Sequence, residues 1–122
     1  MLSVGTIVLR VTDVRRAVDF WGQALGLVPR PGGDDDWVTL VPPDGRGPGI
    51  SLDRTDEPPP AVPHVHLDLY AADAAEQAAE VERLVGLGGQ RVDWEHYPPD
   101  ADFVVLADPA GNRFCVIDRS FG

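Results

Sequence analysis

The second half of this chain of 122 residues repeats the pattern of its first half. From Thr6 the sequence runs TIVLRVTDVRRAVDFWGQALGLV, and from His64 it runs HVHLDLYAADAAEQAAEVERLVGLGGQRV. Each stretch predicts an alternating strand, an aspartate at the start of a helix, an amphipathic helix, a Leu-Gly end and a new strand. Such repetition constrains the architecture more than any local pattern does. Two like units that share one sheet can enclose a cavity, and cavities of this kind bind small molecules.

Each half predicts the element order βαβββ. The predicted strands cover residues 4–11, 27–30, 36–41 and 49–54 in the first half, and residues 64–70, 90–94, 102–107 and 112–118 in the second half. We expect Thr12 or Asp13 to cap the first helix, Gly26 to end it, and Asp73 to begin the second helix. The apolar stripes predicted for the two helices are Val14, Ala17, Val18, Trp21 and Leu25, and then Ala74, Ala78, Val81 and Val85.

The segment DEPPPAVP, residues 56–63, is predicted to link the two halves. It is not expected to form a helix or a central strand, because proline lacks the amide hydrogen and has a fixed φ. We therefore define module one as residues 4–55 and module two as residues 64–119. The linker is too short to separate independent domains, so residues 1–122 are expected to form a single domain.

Charge and cysteine content restrict the partners and the compartment. The formal net charge is −10, and a chain with this charge repels the phosphate backbone of nucleic acids. No apolar run reaches the length that a bilayer requires, so we expect no membrane association. The first residues show no signal-peptide pattern, and the single cysteine, Cys115, suits a reducing compartment. The expected location is the cytoplasm.

Three segments carry a resemblance to a known superfamily, namely VLRVTDVRRAVDFWGQALGL, HVHLDL and VVLADPAGNRFCVID. They resemble the vicinal oxygen chelate superfamily, which contains glyoxalases, bleomycin-resistance proteins and extradiol dioxygenases. The D-P-x-G-N-x-F hairpin of the last segment is the most specific match. The resemblance covers nearly the whole chain. It implies an α+β fold in which two βαβββ modules form a concave half-barrel mixed sheet with the helices outside.

The alternation along the first strand of each module agrees with that fold. The apolar sets Ile7, Leu9 and Val11, and Val65, Leu67 and Leu69, are expected to face the helices. The mixed sets Thr6, Val8 and Arg10, and His64, His66 and Asp68, are expected to face the concave side. A polar face inside a curled sheet indicates a hydrated pocket rather than a second core.

Metal-dependent members of the superfamily place one ligand on the first strand and one on the last strand of each module. The resemblance matches these positions to Thr6, Ser51, His66 and Cys115, with Asp53 as the alternative to Ser51. Of the four matched residues, only His66 is a ligand type of the family. A divalent cation needs three or more suitable donors, and neutral hydroxyls are poor ones. The sequence therefore predicts no family metal site and no cofactor. The alternative is a Zn, Ni, Fe or Mn site that includes His66 and Cys115.

His66 and Asp68 are the candidate catalytic pair. An imidazole and a carboxylate two residues apart on one strand face can act together as a general base. The alternative is a solvated strand face, and we prefer this alternative for His64, which lies nearer the start of the strand. Cys115 is interpreted as a small buried apolar residue rather than as a reactive thiol.

Arg10 and two aromatic residues are further ligand-binding candidates. Arg10 is interpreted as an anchor for an anionic ligand or as an ion-pair partner of Asp53 or Asp68. Trp37 and Phe103 lie on matching strands of the two modules and are interpreted as apolar walls for a planar ligand, or as ordinary core. The polar loop at residues 94–102 is expected to cover the pocket.

These expectations lead to two candidate functions. The first is a protein that binds a small organic compound, and sequesters it or acts on it, without the family metal site. The alternative is a metal-dependent enzyme of glyoxalase or dioxygenase type that uses His66 as a ligand or base. A homodimer is also expected, because family members of this size usually pair and open sheet edges favour association.

Overall fold

The computed structural model describes residues 1–121 and divides into two compact units, one from Met1 to Pro59 and one that begins at Pro60. We keep the names module one and module two for these units. Module one contains β1 (Thr6–Val11), α1 (Val14–Leu25), β2 (Val28–Pro29), β3 (Trp37–Val41) and β4 (Gly49–Arg54). Module two contains β5 (Asp68–Ala71), α2 (Ala74–Gly86), β6 (Gln90–Arg91), β7 (Phe103–Ala107) and β8 (Arg113–Asp118), followed by a 3₁₀ turn (Arg119–Phe121).

Both modules have the same sheet topology. The strand order is β1-β4-β3-β2 in module one and β5-β8-β7-β6 in module two. The first and last strands of each module pair in parallel, and the other neighbours are antiparallel, so both sheets are mixed. The predicted α+β fold of two βαβββ modules is confirmed.

The registers of the two sheets are also equivalent. Val8 lies opposite Ser51 across β1 and β4, and Asp68 lies opposite Cys115 across β5 and β8. Ser51 is the third residue of β4, as Cys115 is of β8. Positions in one module can therefore be compared directly with positions in the other.

Helix α1 begins and ends where the sequence predicts. The Asp13 carboxylate accepts a hydrogen bond from the amide of Arg16, and Gly26 ends the helix with a φ of 66°. The predicted apolar stripe is partly wrong. Phe20 is buried beside Trp21, with the two rings edge to face at 5.1 Å, whereas Leu25 is 37% exposed. Phe20 shares the face of the residue three positions before it, and Leu25 lies in the last turn, where the helix leaves the sheet.

Helix α2 is also capped as predicted, with the Asp73 carboxylate accepting a hydrogen bond from the Glu76 amide. Its predicted stripe is wrong at Ala74 and Ala78, which are exposed. The buried side chains are Val81 and Leu84. Gln77 takes the next position on this face because its amide nitrogen donates at 3.0 Å to the carbonyls of Asp102 and Val116. A polar side chain that hydrogen-bonds to β8 and to the residue before β7 occupies the place that the sequence pattern assigned to alanines.

Strand β5 is shorter than predicted. It begins at Asp68 rather than at His64, although the amide of Cys115 still donates to the carbonyl of Leu67 at 2.9 Å. Its neighbour β8 begins at Arg113, so the residues before His66 have no opposing strand. The alternation therefore stops there, and Val65, expected to face the helix, is 80% exposed. Among the described residues, neither helix combines the length and the apolar character needed to cross a bilayer.

Candidate functional site

The sheet of module two has one face against α2 and an opposite face that forms a pocket. On β8, Phe114 and Val116 are buried, whereas the alternate residues Arg113, Cys115 and Ile117 are only half-buried. This separation follows from the two-residue period of a strand. These three residues line the pocket, and the buried Phe114 also contributes to its lining. The pocket has a volume of about 480 Å³ and is formed entirely by residues of module two.

Aromatic side chains contribute flat surface to the pocket wall. Tyr70 comes from β5, Phe103 from β7, and Trp94 from the loop that precedes β7. Val105 and Ile117 add aliphatic surface from the neighbouring strands. Flat apolar walls of this kind favour a ligand with a planar or aromatic body.

The loop at residues 94–102 is fastened to the sheet at Tyr97. The phenol oxygen of Tyr97 accepts a hydrogen bond of 2.7 Å from the amide of Val105, and its ring lies 5.2 Å from the ring of Phe103. The two ends of the loop, Trp94 and Asp102, both line the pocket. That the loop covers the pocket stays a prediction.

Arg113 is the cation of the pocket. Its guanidinium carbon lies 5.7 Å from the centre of the Trp94 ring, within the range of a cation–π contact. The ring of His96 packs edge to face on that of Trp94, with 5.0 Å between the ring centres. This stack orients the indole ring as a wall of the pocket. His96 is exposed.

Three polar side chains lie close together in the pocket, and we call this cluster its polar end. His66 and Asp68 are joined by a hydrogen bond of 3.0 Å between Nε2 and Oδ1, and both side chains are about half exposed, at 45% and 46%. Cys115 enters because the β5–β8 register places it opposite Asp68. One donor atom from each of the three residues lies within 4.8 Å of the other two.

The thiol of Cys115 is held in its protonated form at neutral pH. Partial burial, the negative charge of Asp68 and a hydrogen bond to the Asp68 side chain raise the pKa of Cys115 from 9.0 to about 11. A thiol in this environment is a poor nucleophile, because the thiolate is the reactive form. The interpretation of Cys115 as unreactive agrees with this shift, although the residue is only partly buried.

Module one carries a different cluster at the equivalent positions. The hydroxyl oxygen of Ser51 lies 2.8 Å from that of Thr6 and 2.9 Å from that of Thr39, and Ser51 is completely buried. These hydroxyls are neutral and satisfy one another. Thr6 and Ser51, which the resemblance matches to metal ligands, therefore do not fit a divalent cation.

The remaining sequence candidates lie outside the pocket of module two. Arg10 pairs with Asp53 at 3.7 Å, which is one of the two interpretations given for it, and Trp37 lies on β3 of module one and is 42% exposed. His64 and His66 are both exposed and both precede β5, so the expectation that they lie on the strand itself is wrong, although His66 still lines the pocket. The cause is the late start of β5 described above.

Sequence reasoning did not select Tyr70, Arg113 and Ile117 as ligand-binding residues, although all three line the pocket. The available signal was strand parity. Tyr70 lies two residues beyond Asp68, and Arg113 and Ile117 flank Cys115 at the same spacing. Trp94 had no such signal, because its place in the wall depends on the path of a loop.

Comparison with known proteins identifies the fold family. A family model described as a glyoxalase-like domain matches residues 6–117. A search of curated proteins found no match. Among solved structures, a possible glyoxalase from Bacillus cereus is 18% identical, with 96% of this chain and 99% of that chain covered and a TM-score of 0.71. Lactoylglutathione lyase from Agrobacterium tumefaciens is 22% identical, with 99% and 96% covered and a TM-score of 0.66.

A third similar structure is a mutant of the genomically encoded fosfomycin resistance protein from Listeria monocytogenes, complexed with Mn(II) and a dihydroxypropylphosphonic acid. It is 13% identical, with 97% of this chain and 90% of that chain covered and a TM-score of 0.73. At these identities the structural likeness concerns the fold alone. The family match, in contrast, runs from the first strand of module one to the last strand of module two, so the chain belongs to the glyoxalase-like domain family of the vicinal oxygen chelate superfamily.

Proposed function

We propose that this protein binds a small organic molecule with a flat apolar body in the pocket of module two. The observation that carries the proposal is the pairing of an aromatic wall with a compact polar end in one pocket of about 480 Å³. Ligand sites are commonly of this size, mostly apolar, with a few polar groups that orient the ligand. The protein then sequesters the compound or acts on it.

The pocket offers different contacts along its length. Trp94 and Phe103 supply flat apolar surface, and Arg113 supplies a cation beside it. His66 and Asp68 supply a hydrogen-bonding pair at the polar end. A ligand that fits has a planar hydrocarbon or heteroaromatic part and at least one polar substituent that reaches the His66 end.

Binding of this kind does not require the four-residue metal set of the superfamily. Two of those positions, Thr6 and Ser51, hold neutral hydroxyls that hydrogen-bond to each other in module one. The pocket walls in module two come from other residues. We therefore propose that ligand binding survives removal of metal.

Tryptophan fluorescence tests the proposal directly. The protein, purified without a histidine tag and treated with a chelator, is titrated with anilinonaphthalene sulfonate, a planar aromatic probe. We expect saturable quenching of protein emission through energy transfer from Trp94, and loss of most of this quenching in Trp94→Phe. Trp37→Phe is the matched control, because it removes an exposed tryptophan of module one. Trp21 is buried in the core and serves as the unchanged background.

Two results would contradict the proposal. One is unsaturable or absent quenching in the folded wild-type protein. The other is an equal loss of quenching in the two variants, which would show that the probe does not distinguish the pocket from the surface of module one. A displacement series with unlabelled planar carboxylates, amines and neutral compounds then identifies the polar substituent that the pocket accepts.

The hydrogen bond between His66 and Asp68 supports a second function, an enzyme that uses His66 as a general base. A carboxylate at 3.0 Å from the imidazole fixes the tautomer and orientation of the ring. If the protein is such an enzyme, His66→Gln abolishes turnover of the compound identified by displacement but leaves its binding within about threefold, since most of the wall is unchanged. Retained turnover in His66→Gln excludes this function.

Assembly as a homodimer and a cytoplasmic location also belong to this proposal. The support for the dimer is that β1 and β5 are edge strands of their sheets, each paired on one side only within its sheet as described. Light scattering at micromolar concentration is expected to give twice the chain mass of 13.2 kDa. A monomer mass under the same conditions would contradict the dimer without affecting the pocket of module two.

A further inference from the structure

We propose that the ligand of the pocket in module two is a planar compound with a carboxylate group, and that Arg113 selects it by binding this carboxylate. The inference rests on the proposed binding function and names the class of compound. It follows from the order of the side chains along the sheet, with a cation near one end and flat apolar surface near the other. Arg113 is then the residue that determines the specificity of the pocket.

The strand pairing sorts residues of the pocket into three rows that cross the sheet. The rows are the apolar row of Tyr70, Ile117 and Phe103, the middle row of Asp68, Cys115 and Val105, and the basic row of His66 and Arg113. The basic row continues the parallel register of β5 and β8 by two residues before Asp68. The polarity of the lining therefore changes in one direction along the strands.

The basic row and the apolar row are far enough apart to bind different parts of one ligand. Arg113 and Ile117 are four residues apart on β8, which corresponds to about 13 Å in a strand. The rings of the apolar row favour a flat hydrocarbon body. A fused bicyclic compound with one acidic substituent can place its rings on the apolar row and direct its substituent toward the basic row.

The guanidinium of Arg113 is well placed to bind a carboxylate. Its central carbon lies over the Trp94 ring, 5.7 Å from the ring centre. A guanidinium that stacks on an aromatic ring keeps its N–H groups in its own plane, where two of them can donate parallel hydrogen bonds to one carboxylate. Arg113 is also half-buried, and such a pair is stronger where water is partly excluded.

The protein does not supply this carboxylate itself. Among residues 1–121, no carboxylate forms an ion pair with Arg113, although the formal net charge of the chain is −10. By contrast, Arg83 and Arg91 of the same module pair with Glu80 and Glu82. The position of Arg113 beside the pocket therefore leaves its carboxylate partner to the ligand.

The two aspartates that line the pocket lie outside the basic row. Asp68 belongs to the middle row and is hydrogen-bonded to His66. Asp102 adjoins the apolar row, since its carbonyl accepts a hydrogen bond from the amide of Asp118. That residue is five positions beyond Arg113 on β8, or about 16 Å along the strand. The negative charge of Asp102 thus disfavours an acidic group at the apolar row, and the lining favours the orientation with the acid at Arg113.

A matched pair of probes tests the inference. Naphthoate and naphthamide share the same fused ring, but only the first carries a negative charge. Each is titrated into chelator-treated, untagged protein by isothermal titration calorimetry, a readout that does not depend on the emission of Trp94. We expect naphthoate to bind at least about tenfold more tightly, because hydrogen bonds to charged groups are stronger than those between neutral groups. Raising the salt concentration is expected to weaken the binding of naphthoate more than that of naphthamide.

Three variants assign the preference to its residue. Arg113→Gln is expected to reduce the preference to less than about twofold and to change the affinity for naphthamide by less than about threefold. Arg91→Gln is the matched control, because it removes the same charge from an ion pair of module two that lies outside the pocket, and it is expected to keep the preference. Ile117→Ala is expected to weaken both probes equally, by about threefold or more, because it removes apolar surface from under the ring.

Circular dichroism establishes that each variant is folded, and the salt dependence of the wild type tests the charge without any substitution. Equal affinity of the wild type for the two probes would overturn the inference, as would a full preference in Arg113→Gln or an equal loss of preference in Arg91→Gln. A change of preference in Ile117→Ala would contradict the proposed orientation. Naphthamide binding without a preference for naphthoate would reject Arg113 as the selecting residue and leave the binding function standing. The absence of binding of either probe would reject both.

Discussion

Module one and module two share strand order and register, yet their equivalent positions carry different chemistry. In module one, Ser51 forms a closed chain of hydroxyl contacts with Thr6 and Thr39. The register makes Cys115 the counterpart of Ser51, and Val105 the counterpart of Thr39. The hydroxyls of module one are neutral and hydrogen-bond to one another. The equivalent positions of module two include titratable side chains that line a pocket.

The difference shows how one topology can support a structural role and a binding role. In module one each of the three hydroxyls has a hydrogen-bond partner within the cluster, so the cluster does not require a ligand. In module two, His66 and Asp68 replace Thr6 and Val8, and their longer side chains remain about half exposed. Their remaining hydrogen-bonding capacity is directed to the pocket, which is why the candidate site lies in this module.

The largest expected effect tests whether the two modules depend equally on their helices. Trp21→Ala removes a side chain that is 1% exposed and packed edge to face on Phe20. We expect it to lower the free energy of unfolding by about 3–5 kcal/mol. Val81→Ala, at the equivalent position of α2, is expected to lower it by about 1.5–2.5 kcal/mol, because fewer methyl groups are lost. Urea denaturation measures both values, and equal losses would contradict the expected difference between the two modules.

The next effect concerns the ionisation of Cys115 in module two, whose counterpart in module one, Ser51, does not titrate. Because the pKa of Cys115 is raised from 9.0 to about 11, its thiolate appears only as the pH rises toward about 11. At about pH 8 the thiolate fraction is then on the order of 100-fold lower than in the unfolded chain. Alkylation by iodoacetamide, followed by mass spectrometry, is expected to be slower by roughly 10- to 100-fold in the folded, metal-free protein, because the more basic thiolate is also intrinsically more nucleophilic.

Asp68→Asn provides the control for the thiol prediction. It removes the charge that contributes to the raised pKa of Cys115 and leaves the burial in place. The midpoint of the pH profile is therefore expected to move down from about 11 without reaching 9.0. An unchanged midpoint in Asp68→Asn would show that burial alone sets the reactivity of Cys115.

A smaller effect distinguishes the hydroxyl cluster of module one, which includes Ser51, from the polar cluster of module two, which includes Cys115. Ser51→Ala removes the shared partner of the buried Thr39 hydroxyl and of the exposed Thr6 hydroxyl. We expect a loss of about 1–2 kcal/mol in the free energy of unfolding. Cys115→Ala, at the equivalent position, is expected to cost less than about 1 kcal/mol, because the side chain is only partly buried. A larger loss in Cys115→Ala would reverse the roles assigned to the two modules.

The smallest effect tests whether module one contributes to ligand binding. Arg10 and Asp53 form an ion pair whose side chains are 60% and 39% exposed. Arg10→Gln is therefore expected to change the free energy of unfolding by less than about 0.5 kcal/mol. It is also expected to leave the quenching by anilinonaphthalene sulfonate unchanged. Loss of quenching in this variant would support the interpretation of Arg10 as an anchor for an anionic ligand, and would show that residues outside module two contribute to binding.

The site was only partly predictable from sequence. His66, Asp68, Phe103 and Cys115 were candidates, and the structure places all four in one pocket. His64 was expected on the same strand face, but it lies before β5, because the opposing strand begins only at Arg113. The extent of a strand depends on its partner as well as on its own alternation, and that partner lies far away in the sequence.

Short-range signals determined the repeat, the helix starts at Asp13 and Asp73 and the left-handed end at Gly26, because caps and alternation act within a few residues. The tertiary structure alone decided which groups meet. Pairing of β5 with β8 brings Asp68 to Cys115, and the hydrogen bond from the Val105 amide to Tyr97 fastens the loop that carries Trp94. Such contacts join residues that are distant along the chain, so no local pattern specifies them.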